Sequence, residues 1–273
     1  MAEAGPRGRV LIIAGSDSGG GAGIQADIKT VTCLGAYAMT AIAALTAQNT
    51  LGVTNIHVVP TDFVVEQIRV VMEDIGADCV KIGMLGSADT IAAVCEALAV
   101  HAPGVPIVAD PVMVAKGGAK LLPDAAVAAL RDRLLPMAAV ITPNLPEAEV
   151  LAGVEMEAAG GFMVLGQRLA DMTPGAVLLK GGHVAGDTVT DLLLEPGCPP
   201  LTLESPRIES RHTHGTGCTT ASAVAAGIAQ GLPLAQAVTR ARAYVRRAME
   251  TAPGLGHGHG PLNHGHTVAP FDA

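Results

Sequence analysis

The sequence predicts an α/β fold in which a mainly parallel sheet lies between two layers of helices, with a small β lid. Short, continuously apolar segments such as residues 9–14 have the length and composition of strands that are buried on both faces. From residue 61 onward, such segments alternate with stretches of helical periodicity, as in right-handed β-α-β crossovers. Aromatic residues make up only 2% of the chain, so the core must consist of aliphatic side chains that suit close packing of helices on a sheet.

Length, charge and cysteine usage narrow the class of protein. The 273 residues suffice for one large α/β domain, and they contain neither an internal repeat nor a recognisable linker. A formal net charge of −8 and the scarcity of aromatic residues argue against nucleic-acid binding. Five widely spaced cysteines without a C-x-x-C pair indicate reduced thiols, and no apolar stretch approaches the ~18 residues of a membrane span. We therefore expect a cytoplasmic protein that binds neither nucleic acid nor membrane.

The first predicted strand leads into a glycine-rich loop. After a small, polar and irregular end at residues 1–8, the strand at 9–14 runs into the loop at 15–23, and helical spacing of apolar residues follows up to Gly35. A dinucleotide-binding enzyme would need an acidic residue about 20 residues beyond such a loop, and residues 36–45 contain none. Asp27, one turn into the helix, could reach back over the loop or simply stabilise the helix dipole.

Two strand-like segments, 37–47 and 53–59, follow with no room for a helix between them. We expect them to leave the sheet as an antiparallel pair that forms the lid. Gln48 lies at the turn between them. Its amide offers both a donor and an acceptor and could read the edge of a heterocycle, although a turn residue that bonds to the backbone is an equally good interpretation.

In the part of the chain where predicted strands and helices alternate, four strands are each followed by a residue that could contact a ligand. The predicted helices are 63–75 and 89–99, and the predicted strands are 79–82, 107–109, 140–141 and 177–179. Just beyond the strands come Met84, Asp110, Asn144 and Lys180. Because ligands bind at the carboxyl ends of strands in open α/β sheets, we expect these residues to line one site.

Asp110 and Glu147 are the acidic residues of that expected site. Mg²⁺ prefers one or two carboxylates together with waters and phosphate oxygens, which suits a metal–ATP complex. Glu147 also follows Pro146 at a helix start, where it could merely stabilise the helix dipole. Asn144 and Lys180 could each contact phosphate.

Residues 212–226 carry the strongest functional signal, a glycine-containing turn that leads into a helix of small residues. Two predicted strands, 191–195 and 201–204, precede this turn, and a second amphipathic helix, 235–250, comes after it. Gly215 and Gly217 would allow a positive φ, and the helix start near Cys218 offers unpaired N–H groups to an anion such as phosphate. The pKa of a thiol at a helix start tends to be lowered, so Cys218 could accept a proton or act as a nucleophile; a small buried core residue is the alternative.

Seven short motifs span nearly the whole chain in this order: Ala-Gly-Ser-Asp-Ser-Gly-Gly-Gly-Ala-Gly-Ile-Gln-Ala-Asp (14–27), Ala-Gln-Asn-Thr (47–50), Lys-Ile-Gly-Met-Leu (81–85), Asp-Pro-Val-Met (110–113), Thr-Pro-Asn-Leu-Pro-Glu-Ala (142–148), Lys-Gly-Gly-His (180–183) and His-Gly-Thr-Gly-Cys (214–218). Together they resemble the motifs of the hydroxymethylpyrimidine and phosphomethylpyrimidine kinases of thiamine biosynthesis, within the ribokinase-like superfamily. The segment at 260–264 also resembles the C-terminal ending of this family.

The resemblance implies one ribokinase-like, three-layer kinase domain over residues 1–273, with irregular ends at 1–8 and 256–273, and commonly a homodimer. It implies that ATP and Mg²⁺ serve the phosphorylation of 4-amino-5-hydroxymethyl-2-methylpyrimidine to its monophosphate and then to its diphosphate. By position, it implies an anion hole and proton acceptor at Gly215, Thr216, Gly217 and Cys218; substrate binding by Gly15, Asp27, Gln48, Met84 and Val112; ATP or phosphate binding by Asn144, Lys180 and Thr213; and metal binding by Asp110 and Glu147. The superfamily usually has an aspartate general base where this chain has Cys218.

The nearest alternative function is that of a pyridoxal kinase, or of an enzyme with both activities, because pyridoxal is a similar ring that carries a hydroxymethyl group. A non-catalytic binding or scaffold protein would leave the residues of the expected site without a purpose, and an oxidoreductase would need the acidic residue that is missing after the glycine-rich loop. Within the kinase interpretation, an alcohol must lose a proton, whereas a phosphate monoester with a second pKa of about 6 is already largely ionised. We therefore expect Cys218 to matter for the first phosphorylation and much less for the second.

Overall fold

A mixed sheet organises the computed structural model, which describes residues 7–113 and 122–269. Its nine strands within those residues are β1 (Arg9–Asp17), β2 (Tyr37–Asn49), β3 (Gly52–Val58), β4 (Cys79–Ile82), β5 (Ile107–Ala109), β6 (Val140–Ile141), β7 (Ala176–Leu179), β8 (Thr188–Leu194) and β9 (Leu201–Pro206). Across the sheet the order is β3-β2-β1-β4-β5-β6-β7-β8-β9. The strands from β2 to β7 run parallel, whereas β3 at one edge and β8 and β9 at the other pair antiparallel. The prediction of a mainly parallel sheet is confirmed.

The strand order reverses at β1. The chain passes from β1 to β2 on one side and later continues with β4 on the other side of β1. In open α/β sheets such a reversal opens a crevice at the carboxyl ends of the strands. The carboxyl end of β1 is Gly15–Asp17, and Gly83 and Met84 follow β4, so both segments border that crevice.

Helices cover both faces of the sheet. In chain order they are α1 (Gly23–Cys33), α2 (Thr61–Asp74), α3 (Ala88–His101), α4 (Asp124–Ala129), α5 (Leu145–Ala152), α6 (Met156–Ala159), α7 (Phe162–Ala170), α8 (Thr216–Ala229) and α9 (Leu234–Glu250). A π-helical turn at Leu130–Leu134 and a 3₁₀ turn at Leu135–Met137 extend α4. One apolar layer contains residues of α1, α8 and α9, and the other contains residues of α2, α3, α5 and α7. In the described part of the chain, no helix has the length and apolar character needed to cross a membrane.

Side-chain alternation along β1 explains the two apolar layers. Leu11 and Ile13 belong to the layer that contains α2 and α3, whereas Val10 and Ile12 belong to the layer that contains α1 and α8. All four side chains are fully buried. A strand that buries both faces has an apolar residue at every position, which is why the sequence shows β1 as a continuous apolar run.

The predicted lid corresponds to the hairpin of β2 and β3, which pair antiparallel between Ala44–Asn49 and 52–58. The expectation that residues 37–47 leave the sheet is wrong, because β2 also pairs parallel with β1 from Tyr37 to Thr46. Its alternating residues Met39, Ala41 and Ala43 are buried in the layer that contains α2. One long strand therefore belongs to both the sheet and the hairpin.

The described segment after α9 has little regular structure but packs against the rest of the chain. It contains a 3₁₀ turn at His264–Thr267, buries His264, and accepts a hydrogen bond from the His214 N–H at Gly260 O, 3.2 Å away. A Cβ at Gly258 would lie 2.1 Å from Thr50 O, so only glycine allows this approach. At the other end, the Arg7 N–H donates to Gly35 O; residues 1–6 and 270–273 lie outside the described residues.

Candidate active site

A cavity of about 370 Å³ lies at the carboxyl ends of the parallel strands, a size typical of small-molecule sites. Every residue predicted for the site except Asp27 lines it: Gly15, Gln48, Met84, Asp110, Val112, Asn144, Glu147, Lys180, Thr213, Gly215, Thr216, Gly217 and Cys218. Asp17, which lies in the loop that the sequence predicts to hydrogen-bond a polar substrate, lines the cavity as well. So do Lys81 and His214, for which the sequence predicts no role. Residues that follow the ends of the parallel strands therefore make up a large part of the cavity wall, where the sequence placed them.

The turn before α8 presents an uncapped helix start to the cavity. Gly215 precedes the helix with a φ of +85°, and a Cβ there would lie 1.8 Å from Gly21 O, so glycine is required on both counts. No side chain in the described part of the chain caps α8, which leaves first-turn N–H groups and the positive helix end to a ligand. The expectation of a positive φ at Gly217 is wrong, because Gly217 lies inside the helix. A Cβ there would instead approach Lys180 Nζ to 3.3 Å.

Cys218 is the third residue of α8 and lines the cavity. Burial raises the pKa of its thiol to about 12, although the Lys81 ammonium and a hydrogen bond from the Gly23 N–H both lower it. The expectation of a lowered pKa is therefore wrong, because the loss of hydration of the thiolate outweighs the helix start and the neighbouring cation. At neutral pH the thiol form predominates.

Behind Cys218, Lys81 and Asp27 form an ion pair of 2.8 Å, and both side chains are fully buried. Lys81 lies on β4 and Asp27 on α1, and the Ser222 hydroxyl of α8 donates to the other Asp27 oxygen at 2.7 Å. Burial alone would lower the pKa of Lys81, but the carboxylates of Asp27 and Asp110 raise it above its usual value. Asp27 does not line the cavity, so its expected direct contact with substrate is not found; it instead holds the ammonium of Lys81 beside the cavity. A lysine within a strand buried on both faces was the available sequence signal, since a buried cation requires a carboxylate.

Asp110 and Lys180 form the polar part of the cavity wall next to Gly217. Asp110 Oδ1 accepts hydrogen bonds from Lys180 Nζ at 3.1 Å and from the Thr142 hydroxyl at 3.0 Å. Burial alone would lower the pKa of Lys180, but Asp110 and Glu147 raise it, so the ammonium remains charged. Asp110 Oδ2 is buried and has no partner among the described residues. A buried carboxylate oxygen without a partner needs a cation or a donor from a ligand.

Glu147 combines the two roles that the sequence left open. Asn144 caps α5: its side chain accepts from the Glu147 N–H at 3.0 Å, while Glu147 Oε2 accepts from the Asn144 N–H at 2.8 Å, so the two residues form a capping box. Glu147 also lines the cavity. Burial raises the pKa of Glu147 to about 7, which Lys180 opposes and the Asp110 carboxylate reinforces.

These two carboxylates fit a magnesium ion that is shared with phosphates. Within residues 7–113 and 122–269, no group of three or more His, Cys, Asp or Glu side chains could hold a metal ion by itself. Mg²⁺ commonly binds through one or two carboxylates together with substrate phosphates and waters, and the partnerless Asp110 Oδ2 suits such a ligand. The residues present therefore fit the ion.

Asp17 organises the glycine-rich loop, because its carboxylate accepts hydrogen bonds from within the loop and from His214. The carboxylate accepts from the N–H groups of Gly19, Gly21 and Ala22 at 2.8–3.0 Å and from His214 Nε2 at 2.9 Å. Burial alone would raise the pKa of Asp17, but the hydrogen bonds from His214, Ala22 and Gly19 lower it below its usual value. A Cβ at Gly21 would lie 2.4 Å from the His214 ring, so the loop and the α8 turn are packed directly together.

The apolar wall consists of Met84 and Val112, and Gly15 makes room for it. A Cβ at Gly15 would lie 2.8 Å from Met84 Cε. Gln48 lines the opposite, hairpin side, where one end of its amide lies 3.3 Å from His214 Nε2. The cavity thus offers an apolar wall and a facing amide, together with a polar region made of the start of α8, Lys180, Asp110 and Glu147.

Comparisons with known proteins agree with this arrangement. Residues 17–263 match the family model described as phosphomethylpyrimidine kinase. The chain is 46% identical to the hydroxymethylpyrimidine/phosphomethylpyrimidine kinase of Bacillus subtilis, over 94% of both chains. It is 52% identical, over 95% of its length, to the thiamine biosynthesis bifunctional protein ThiED of Geobacter sulfurreducens, of which it spans only about half, 52%. It is also similar to the solved structure of the pyridoxal kinase from Staphylococcus aureus in complex with AMP-PCP and pyridoxal, with a TM-score of 0.85, 32% identity, and coverage of 96% of this chain and 94% of that one.

Proposed function

The chain belongs to the phosphomethylpyrimidine kinase family, and on this premise we propose that it phosphorylates 4-amino-5-hydroxymethyl-2-methylpyrimidine with ATP, first to the monophosphate and then to the diphosphate, in thiamine biosynthesis. The observation that carries the proposal is one cavity in which the uncapped start of α8 meets Lys180, Asp110 and Glu147. Anion-binding N–H groups, a cation and two carboxylates are the parts that phosphoryl transfer requires, since its catalysis is mostly positioning and charge stabilisation.

ATP and Mg²⁺ have an evident place in this proposal. Asn144, Lys180 and Thr213 would contact the nucleotide phosphates, and Asp110 and Glu147 would hold the metal ion, directly or through water. When bound, Mg²⁺ would neutralise charge on the phosphates of ATP. The similar pyridoxal kinase was solved with AMP-PCP, an analogue of ATP, which supports nucleotide binding at the equivalent place in this chain.

The residues of this chain distinguish the two phosphorylation steps. In the first step, the hydroxymethyl oxygen would attack the terminal phosphorus of ATP, the bond from that phosphorus to the bridging oxygen would break, and ADP would leave. The attacking hydroxyl must lose its proton, which Cys218 would accept. In the second step, an oxygen of the monophosphate attacks, and it carries no proton that must be removed at neutral pH. Because burial keeps the Cys218 thiol protonated, only the small thiolate fraction would serve the first step. Gly15, Gln48, Met84 and Val112 would hold the pyrimidine ring in both steps.

Pyridoxal is the second candidate substrate. The observation that favours it is the similarity of the whole chain to a pyridoxal kinase of known structure. The same phosphate region would serve either ring, so the choice depends on the residues around the ring, above all Gln48.

The test is to incubate the purified chain with Mg-ATP and either hydroxymethylpyrimidine or pyridoxal, and to resolve the products by mass spectrometry. Successive pyrimidine mono- and diphosphates are expected. Pyridoxal phosphate as the sole product would assign the chain to vitamin B6 salvage, and no phosphorylated product from either compound would overturn the proposal.

We further propose that the enzyme is a single kinase domain that works as a cytoplasmic homodimer and binds no nucleic acid. All five cysteines are unpaired, which suits a reducing compartment. Leu45, Ile56, Val58 and Phe63 form exposed apolar surface on and near the β2–β3 hairpin, which a second copy would cover. Sedimentation equilibrium would give the mass of a dimer, and a monomer at micromolar concentration would contradict this part of the proposal.

A further inference from the structure

The side-chain amide of Gln48 has only one orientation that its neighbours can satisfy. Its nitrogen lies 3.3 Å from His214 Nε2, and its oxygen lies 3.1 Å from the Thr46 hydroxyl. The oxygen and nitrogen of an amide have nearly the same shape, so their assignment depends on the hydrogen bonds of their neighbours. Both of these neighbours donate their protons to other acceptors, His214 to Asp17 and Thr46 to Ser16.

His214 requires the amide oxygen on its side. The Asp17 carboxylate accepts three backbone N–H bonds and is an acceptor only, so the contact of 2.9 Å between Asp17 Oδ2 and His214 Nε2 needs a proton on that nitrogen. A nitrogen that carries a proton cannot accept a hydrogen bond from an amide NH₂. The end of the Gln48 amide next to His214 must therefore be the oxygen. It accepts a longer and weaker hydrogen bond from the same His214 N–H, which is bifurcated between Asp17 and Gln48.

Thr46 independently requires the amide nitrogen on its side. A hydroxyl has one proton, and the Thr46 proton goes to Ser16 O at 2.8 Å, because a carbonyl can only accept. Thr46 Oγ1 can then only accept from Gln48. If the oxygen and nitrogen of the Gln48 amide are exchanged, its contacts with Thr46 and His214 both become hydrogen bonds. Without the exchange, neither contact can be one.

We propose that His214, held by Asp17, is a positioning residue that fixes the order of acceptor and donor that Gln48 presents to the substrate. The inference rests on the proposed function, since it concerns which ring the cavity accepts. With the amide in this orientation, its oxygen has a second lone pair and its nitrogen a second proton for a ligand. An aminopyrimidine carries an exocyclic NH₂ donor beside a ring-nitrogen acceptor, the complement of an amide edge and the same pairing by which Gln and Asn recognise adenine. Pyridoxal has no amino group with which to form that pair.

The role predicts a defined change in selectivity. His214→Met removes the N–H donor at similar side-chain length, so that the Gln48 amide is held at one end only, by Thr46, whereas His214→Gln returns an N–H at a similar reach. We compare the dissociation constant of hydroxymethylpyrimidine with that of the analogue that lacks the 4-amino group, by calorimetry in the presence of the full chain and AMP-PCP. Wild type should prefer the amino compound by about 10-fold or more, since a site built to pair a polar group rejects ligands without it. In His214→Met this preference should fall to about 3-fold or less, and in His214→Gln most of it should return.

A merely structural role for His214 would give a different pattern, because it would weaken both pyrimidines and AMP-PCP alike. Thr46→Val, which acts on the other end of the amide, should reduce the same preference while His214 is intact. The matched control is Thr54→Val on the partner strand, whose hydroxyl donates to the backbone carbonyl of Ala47 and not to the side-chain amide of Gln48. An unchanged preference in both His214→Met and Thr46→Val would overturn the inference and leave the proposed function intact. Failure of wild type to bind either pyrimidine would count against the proposed function, and the inference would fall with it.

Discussion

Replacement of Lys81 by methionine should destabilise the fold strongly, and the loss should depend on pH. The substitution leaves the fully buried Asp27 carboxylate with only the Ser222 hydroxyl as partner. Removal of one member of a buried ion pair costs about 3–5 kcal/mol. This cost cannot exceed the free energy needed to protonate Asp27, because the neutral carboxyl group needs no cation. For a carboxyl group whose pKa in the unfolded chain is about 3.9, each pH unit above that value adds ~1.4 kcal/mol. Protonation therefore costs about 4 kcal/mol at pH 7 and about 1.5 kcal/mol at pH 5.

The sign of the pH effect follows from the pKa of Asp27, which burial raises even in the wild type and which rises further when the opposing Lys81 ammonium is removed. A carboxyl group with a raised pKa in the folded state loses stability as the pH rises above its unfolded pKa. The penalty of Lys81→Met, measured by urea denaturation, should therefore shrink by about 3 kcal/mol between pH 7 and pH 5. At pH 7 the penalty of about 3–5 kcal/mol should lower the melting temperature of Lys81→Met by roughly 6–20 °C relative to wild type, because each kcal/mol corresponds to ~2–4 °C for a chain of this size.

Two comparisons make the experiment decisive. Lys29→Met, at an exposed lysine of α1 that donates to Gly20 O, should change stability by no more than about 0.5 kcal/mol. The triple variant Lys81→Met, Asp27→Leu and Ser222→Ala replaces the whole polar group by apolar side chains and should recover most of the lost stability, without recovering activity. A Lys81→Met penalty below about 1 kcal/mol, or one that is equal at both pH values, would refute the ion-pair account.

Three further predictions follow from the cavity. The rate of the first phosphorylation should rise with pH between 7 and 9 as the thiolate fraction of Cys218 grows, whereas Cys218→Ala should lose that rise and leave the second phosphorylation within about 3-fold of wild type. The raised pKa of Glu147, about 7, should make stability fall by about 3 kcal/mol as the pH increases from 4.5 to 7, and Glu147→Gln should remove this fall in urea denaturation. Gly215→Ala should prevent stable folding, whereas Gly217→Ala should melt at or above the wild-type temperature but raise the KM for ATP about 10-fold or more, because its Cβ intrudes on the phosphate region and not on backbone.

The controls for these predictions lie in the cavity or, for Gly182, beside the cavity-lining His183. Equal rate losses in both steps for Cys218→Ala would contradict its role as proton acceptor, and Cys218→Asp should carry out the first step without the dependence on pH. Parallel pH profiles of wild type and Glu147→Gln would show that another group titrates. Gly182→Ala, where a Cβ meets nothing within 4 Å, should match wild type in both stability and KM.

The sequence identifies the fold and the cavity wall because both depend on local patterns. Apolar runs and helical spacing locate the strands and helices, and residues that follow strand ends must meet at one edge of a parallel sheet. Gly215 could be recognised for the same reason, since a glycine before a helix start allows a specific turn whatever lies around it.

The sequence predictions that were wrong or missing concern residues whose role depends on neighbours far away in the chain. Asp27 looks equally suited to a ligand and to a helix dipole, and only the packing of β4 and α8 against α1 shows that it pairs with Lys81 and Ser222. The pKa of Cys218 was predicted in the wrong direction because the helix start is visible in the sequence and the depth of burial is not. His214 was overlooked because its partner Asp17 lies 197 residues away.

That separation also has a consequence for how the protein is made. The glycine loop leaves the ribosome about 200 residues before the α8 turn that must press against it, and β1 can meanwhile pair with β2 and β4. Contacts between such distant segments carry the largest loop-closure cost and form late. A nascent chain can therefore form most of its sheet long before the glycine loop meets the α8 turn. The cavity is complete only after this late contact has formed, so a chain that stalls partway through synthesis lacks one wall of the site.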